Sequence, residues 1–273
     1  MGNDSMTPED CLKLGNLDEA LRLLQDRIKK QPSNANDRVF LFQLLSVMGQ
    51  WDRALTQLAV VKELDDSSIA MVLMYRQVIA CEKIRERVFL GQEEPTVVGQ
   101  PKQWIALMIQ ALRMAAEEQY EHSQVLRMQA FEEAPSVSGT LNDESFEWLA
   151  DSDARIGPIM EAIIDGRYIW TSWENLQSVV IEAPIDLRDV IWLPVHFEWK
   201  NGGENYGLMP ARYPRSYQMD PLLALSRKTV WQELPHDIHI GYGQKMLLTD
   251  RSEYPLMEAR SITINAAPNN AEG

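Results

Sequence analysis

Cysteine is nearly absent from the 273-residue chain, with Cys11 and Cys81 its only two thiols. Both sit inside helical patterns and lack C-x-x-C spacing, so neither a disulfide framework nor a thiolate metal site is expected. Histidine is almost as scarce. Of the four histidines, His236 and His239 flank Asp237, but a three-residue step on a strand sends the two rings to opposite faces, which argues against a metal site. Positive charge is in deficit: 26 Lys and Arg stand against 40 Asp and Glu, a formal net charge of -14. Such a surface repels phosphate backbones and anionic lipid, so nucleic acid and membrane are excluded as partners. The basic clusters that do occur, Lys29-Lys30 and Lys83 to Arg87, read as solvated helix faces. No apolar run approaches the ~18 residues that a spanning helix needs. The opening Met1-Gly2-Asn3-Asp4-Ser5-Met6 has neither the basic nor the apolar region of a secretory signal, which predicts a cytoplasmic protein starting at Met1 or Met6. There is no G-x-x-x-x-G-K-[ST] loop, Gly241-Tyr242-Gly243 is too short for a dinucleotide fingerprint, and no G-x-S-x-G elbow is found. No cofactor and no catalytic residue are expected.

What is present is a repeat. Gly15-Asn16-Leu17-Asp18-Glu19-Ala20-Leu21 returns as Gly49-Gln50-Trp51-Asp52-Arg53-Ala54-Leu55, an offset of 49 - 15 = 34 residues, the period of the tetratricopeptide (TPR) helical hairpin. The physics fits the spacing. A glycine at each site permits the positive φ that ends a first helix, an aspartate suits the positive end of the second, and Ala20 and Ala54 let two helices cross closely. Tyr120, Ser123, Ala130 and Pro135 repeat the pattern with one residue added, where Leu17, Ala20, Arg27 and Pro32 stood. Between these copies, Ser68 to Leu90 reads as one long helix with no recognisable second helix. The expected architecture is α+β, with a TPR-like helical hairpin array over residues 1–135.

In such arrays the first helix of each hairpin lines a concave groove. The register assigns Val39, Gln43 and Ser46 to it from one helix, and Leu73, Gln77 and Ala80 from the next. This mixed, largely uncharged lining suits an amphipathic helix better than an acidic tail, which would need clustered Lys and Arg.

After residue 139 the period changes, and six of the eight tryptophans lie beyond it. Residues 140–265 read as a smaller, mostly antiparallel β domain with a few short helices, followed by a polar tail at 266–273. A helix is expected over Ile159 to Ile164, and strands at Tyr168–Trp173, Val179–Glu182, Val190–Leu193, Val195–Lys200, Tyr206–Ala211, Thr229–Glu233, Met246–Leu248 and Ser261–Ile264. Asn201-Gly202 marks a hairpin turn, and Pro221 to Arg227 a short helix. Together the strands predict a small, strongly curved sheet. The acidic stretch around Trp148 offers Glu147, Asp151 and Asp153 as carboxylates near an aromatic ring, the arrangement that can raise a general acid's pKa; a hydrolase is therefore the rival reading. A scaffold for some other assembly is a third.

The second half also carries a series of short motifs in fixed order. They are Phe146-Glu147-Trp148-Leu149-Ala150-Asp151 with Arg155 and Gly157-Pro158; Gly166-Arg167-Tyr168-Ile169-Trp170; Pro184 with Asp186-Leu187-Arg188-Asp189 and Trp192; Asn201-Gly202-Gly203-Glu204; Pro210 with Arg212-Tyr213-Pro214; and Gly243-Gln244-Lys245-Met246-Leu247 with Thr249-Asp250 and Tyr254. In these the chain resembles the ImpE family, also called SciE or TagJ, accessory proteins of bacterial type VI secretion. The resemblance implies a cytoplasmic, non-enzymatic adapter. Its partner would be the amino-terminal helix of the small contractile-sheath subunit and, through it, the AAA+ ATPase that recycles the sheath. It also singles out Trp148, Asp151, Arg155, Tyr168, Trp170, Arg188, Asp189, Arg212, Tyr213, Gln244, Asp250 and Tyr254.

Overall fold

The structure, a computed structural model, describes residues 6–100 and 102–265. Its fold is α+β. The chain opens with two helical hairpins, α1 (Pro8–Lys13) with α2 (Leu17–Lys30) and α3 (Ala35–Val47) with α4 (Trp51–Leu64). Each bend is closed by the same pair of hydrogen bonds: the N–H of Gly15 donates to Leu12 O and that of Asn16 to Cys11 O, and Gly49 and Gln50 repeat this on Ser46 and Leu45. Gly15 and Gly49 have φ of +75° and +67°, the left-handed residue of a Schellman stop. The third hairpin, α6 (Gln103–Ala116) with α7 (Tyr120–Glu133), makes the same stop with Glu118, at φ +62°. Ser123, at the small-residue position, is fully buried and donates to Ala111 O across the crossing.

Between these hairpins runs α5 (Ile69–Phe89), which has no helical partner in the repeat sense. The chain after it instead forms β1 (Thr96–Val97), the parallel edge strand of the large sheet. The remaining elements are β2 (Gly139–Leu141), β3 (Glu144–Phe146), β4 (Leu149–Asp151), β5 (Ile159–Ile164), β6 (Arg167–Ser172), β7 (Leu176–Ile181), β8 (Trp192–Trp199), β9 (Glu204–Pro210), α8 (Pro221–Ala224), β10 (Thr229–Leu234), β11 (Ile238–Gly243), β12 (Met246–Thr249), β13 (Glu253–Pro255) and β14 (Ser261–Ile264). Nine strands form one sheet in the order β1-β6-β5-β9-β8-β7-β14-β2-β3, antiparallel apart from β1; β13-β12-β4 and β10-β11 form two smaller ones. The sheet is larger than the sequence suggested, because the short strands β2 and β3 and the helical half's own β1 extend it.

Two local expectations are corrected. Residues 159–164 are a strand, not a helix: β5 lies between β6 and β9 with all six residues buried, and a strand covered on both faces shows no alternation to distinguish it from a short helix. The two short strands expected at 190–193 and 195–200 are a 3-10 turn over Leu187–Val190 followed by one continuous strand, β8, which passes through Pro194. Pro194 is tolerated there because the β7–β8 ladder ends at Ile181–Val195, so its missing N–H falls at the ladder's end. The expected polar tail lies outside the described residues.

One hydrophobic cluster joins helices and sheet, running from Leu24, Phe42 and Leu58 through Tyr75 and Phe89 to Tyr168, Trp170, Trp192 and Tyr213. A second, containing Leu141, Leu176, Phe197 and Ile262, fills the far side of the sheet. Among the described residues no helix is long and apolar enough to cross a membrane.

Candidate partner-binding surfaces

Helix α5 joins the two halves of the chain and so fixes where a partner can reach either of them. Its inward face begins as apolar Val72, Tyr75, Val78 and Ile79, then turns charged at Glu82 and Arg85, all buried. Arg85 donates to both oxygens of Glu161 on β5 at 2.8 and 2.7 Å and to Glu82 at 3.0 Å. Lys245 donates to Glu161 at 2.7 Å and pairs with Asp151 at 3.0 Å. From Glu161 the chain of bonds continues along β6, still within the core: Tyr168 donates to it, and the Trp170 indole N–H donates to the Tyr168 hydroxyl. On the other side the Tyr213 hydroxyl donates to Asp151. Burial raises the cost of the Glu161 charge, but Arg85 and Lys245 outweigh it and hold that carboxyl well below its ordinary range. For Asp151, which shares Lys245 with Glu161, burial wins and the carboxyl is pushed up.

A second bolt is Arg212, buried at 4% exposure, whose guanidinium donates to Val47 O and Ser46 O at the carboxy end of α3 and to Ala224 O. The negative end of a helix is where a cation is stabilised. With carbonyl partners only, burial pulls Arg212 down to about 10, which leaves it charged at neutral pH. The expectation that Lys83 to Arg87 is a solvated face is thus corrected at Arg85, which is 1% exposed. Its partner Glu161 escapes sequence reasoning because it lies in β5, where burial on both faces erases the strand's period.

Apart from Trp148, which is exposed, the remaining motif residues also have defined structural partners. Asp153 takes the Arg155 guanidinium and the Gly241 N–H, and Arg155 lies over the Phe89 ring. Arg188 stacks on Tyr75 and pairs with Asp186, while Asp189 accepts the N–H groups of Ile185 and Asp186. Gln244 accepts from Met257 N–H, Asp250 from Glu147 N–H, and Tyr254 donates to Glu144. Of the three carboxylates that a hydrolase would use, Asp151 and Asp153 are held in these pairs, and Glu147 is exposed with its backbone tied to Asp250. Among the described residues no group of three or more His, Cys, Asp or Glu is placed to hold a metal.

The six groove residues are not brought together. Ser46 is fully buried, its hydroxyl turned back to Phe42 O, and Gln43 is 6% exposed. The segment after β7 explains this: the turn at Leu187–Val190 packs on α3 and fills the middle of the concave face with the protein's own residues. Open space remains on either side. One groove of about 800 Å³ is lined by Arg27, Val39, Phe40, Gln43 and Ile185. Another, of about 360 Å³, lies between α5 and the sheet, lined by Met74, Gln77, Pro194, His196 and Tyr206. Leu73, Gln77 and Ala80 are exposed along α5, and Leu73 at 51% and Tyr206 at 79% are conspicuous for large apolar or aromatic side chains. A third cleft, of about 490 Å³, opens where the end of α7 meets β4, lined by Phe131, Pro135, Val137, Trp148, Leu149, Pro158 and Leu248.

Residues 143–263 match the family model described as ImpE protein. The type VI secretion system accessory component TagJ of Pseudomonas aeruginosa is 46% identical over 262 residues, which is 96% of this chain and 92% of that protein. A crystal structure of a Vibrio parahaemolyticus protein superposes with a TM-score of 0.89 at 24% identity, covering 96% of this chain and 98% of the other. The second likeness shows the fold.

Proposed function

The chain belongs to the ImpE family of type VI secretion accessory proteins, and from that premise we propose that it is a non-enzymatic cytoplasmic adapter that binds one helix of the small contractile-sheath subunit and so influences sheath recycling by the AAA+ ATPase. The helix lies in the groove beside α5. The observation that carries this reading is the exposure of Met74 and Tyr206 in the lining of that groove, with Leu73 exposed next to Met74 on α5, in a protein whose turn at Leu187–Val190 otherwise covers the concave face. Apolar side chains left open around a groove are the usual mark of a surface completed by a partner. Val39 and Gln43, on the rim of the neighbouring groove, extend the same concave face.

The test is a calorimetric titration of the intact chain with a peptide carrying the first helix of the small sheath subunit. Saturable binding is expected, with Leu73→Glu and Tyr206→Glu each weakening it roughly tenfold, as for an interfacial anchor. No binding at high micromolar peptide overturns the proposal. Binding that both variants leave unchanged overturns the placement on α5.

A further inference from the structure

Helix α7 ends the hairpin array with an uncovered apolar face. Val125, Met128 and Phe131 are 62%, 50% and 40% exposed at steps of three residues, and Trp148, 37% exposed, continues the stripe from the β side. Phe131 and Trp148 both stand at the mouth of the 490 Å³ cleft, whose other lining residues include Pro135, Leu149 and Leu248. In an uninterrupted array the next hairpin would pack on this face. Here the chain departs into β2 instead, and the face keeps the shape of a seat for one more helix.

The charge around that seat identifies its occupant. Glu121 stands four residues before Val125 and Glu132 four after Met128, so both are helical neighbours of the stripe. Both are exposed, as are Glu147 beside Trp148 and Asp237 on the wall of the cleft. No lysine or arginine lines the cleft among the described residues. The one arginine in α7, Arg127, is 1% exposed and turned inward to Ser123 and Gln124.

We propose that the α7 stripe and the Trp148 cleft form a second docking surface, separate from the groove beside α5, for a basic amphipathic helix of a partner protein. The partner places a large apolar side chain in the cleft and Lys or Arg over the acidic rim. Charge disfavours a second copy of this chain as the occupant, because its net charge is -14 and it would oppose one acidic rim to another.

The experiment is a fluorescence anisotropy titration of the intact chain with a synthetic helix carrying leucines on one face and lysines on the other. The control is its mirror peptide with glutamate in place of lysine. The lysine peptide should bind and the glutamate peptide should not. Met128→Glu, at an exposed position where folding is not at risk, should weaken binding roughly tenfold or more, the size of one desolvated anchor, while Leu73→Glu leaves it unchanged. Glu121→Lys with Glu132→Lys should weaken the lysine peptide far more than the same reversal at Glu63 and Glu94, which controls for net charge. Equal loss from both reversals, or no loss from Met128→Glu, overturns the proposal. So does a dimer in sedimentation velocity that Met128→Glu dissolves, which would assign the face to a second copy. Because Leu73→Glu and Met128→Glu act on separate surfaces, failure here leaves the sheath-helix reading intact, and the reverse holds too.

Discussion

Helices α5 and α7 break the rule of amphipathic helices in opposite directions. On α5 charged side chains are inside: Glu82 and Arg85 are 6% and 1% exposed. On α7 apolar side chains are outside, at Val125, Met128 and Phe131. The difference lies in what each helix faces. The inward charges of α5 meet a sheet that supplies the Glu161 carboxylate to Arg85 and the Trp192 indole N–H to Glu82, so the polar face is satisfied within the chain. The outward face of α7 is left open at Val125 and Met128, and its Phe131 meets the rest of the chain only at the edge of the cleft, beside Gly157, so most of that apolar face is satisfied only from outside.

The sharpest way to break this comparison is Glu161→Leu, which strands two cations, Arg85 and Lys245, in the interior. A loss of about 3–5 kcal/mol is expected by urea denaturation, as for other buried pairs deprived of one partner. The milder Glu161→Gln exposes the sign of the effect. Arg85 and Lys245 hold Glu161 well below its ordinary value of 4.5, so its contribution is complete above that pH and is lost as pH falls through the folded-state value. The stability gap between wild type and Glu161→Gln should therefore narrow as pH drops below 4.5. A gap that is constant with pH would show that Glu161 is not charged in the folded protein.

Gly49→Ala ranks next. It places a Cβ in a backbone at φ +67° and 2.3 Å from the Tyr217 ring, so about 1–3 kcal/mol is expected, read as a lowered Tm. Gly15→Ala should cost less, since its nearest neighbour is a Leu222 methyl at 3.0 Å that can move aside. Ser123→Ala, which removes a buried donor to Ala111 O, should cost about 1 kcal/mol, again by denaturation. Met128→Glu should change stability by less than about 0.5 kcal/mol, as at an ordinary surface position, and affect only binding. A large loss of stability there would mean that α7 is already covered within the chain.

How much of the molecule is legible in its sequence depends on how local the signal is. Gly15 and Gly49 announce the hairpins because a positive φ constrains residue type at one position, and Ser261–Ile264 is readable because it alternates between buried and open faces. Residues 159–164 are not, since burial on both faces leaves no period to read. Arg85 looks solvated because its partner Glu161 lies 76 residues away, in that same unreadable strand. The interruption of the apolar series Val78, Ile79, Phe89 by Glu82 and Arg85 is the available clue. The filled concave face is invisible for the same reason. Ser46 occupies a groove position by register, yet whether that groove is open is decided by the turn at Leu187–Val190, from the other half of the chain.

Helix α5 also bears on the order of events during synthesis. The helical half leaves the ribosome first, carrying Glu82 and Arg85 towards partners not yet made. Glu82 waits 110 residues for Trp192, and Val47 waits 165 for Arg212. Contacts of such separation close late and slow folding. Until β5 and β12 arrive, only the Glu82–Arg85 part of the inner face of α5 is charged and hydrated, while Val72, Tyr75, Val78 and Ile79 beside it have no sheet to cover them. The half that is made first thus carries an apolar stretch that only the second half covers, next to charges that only the second half pairs in full.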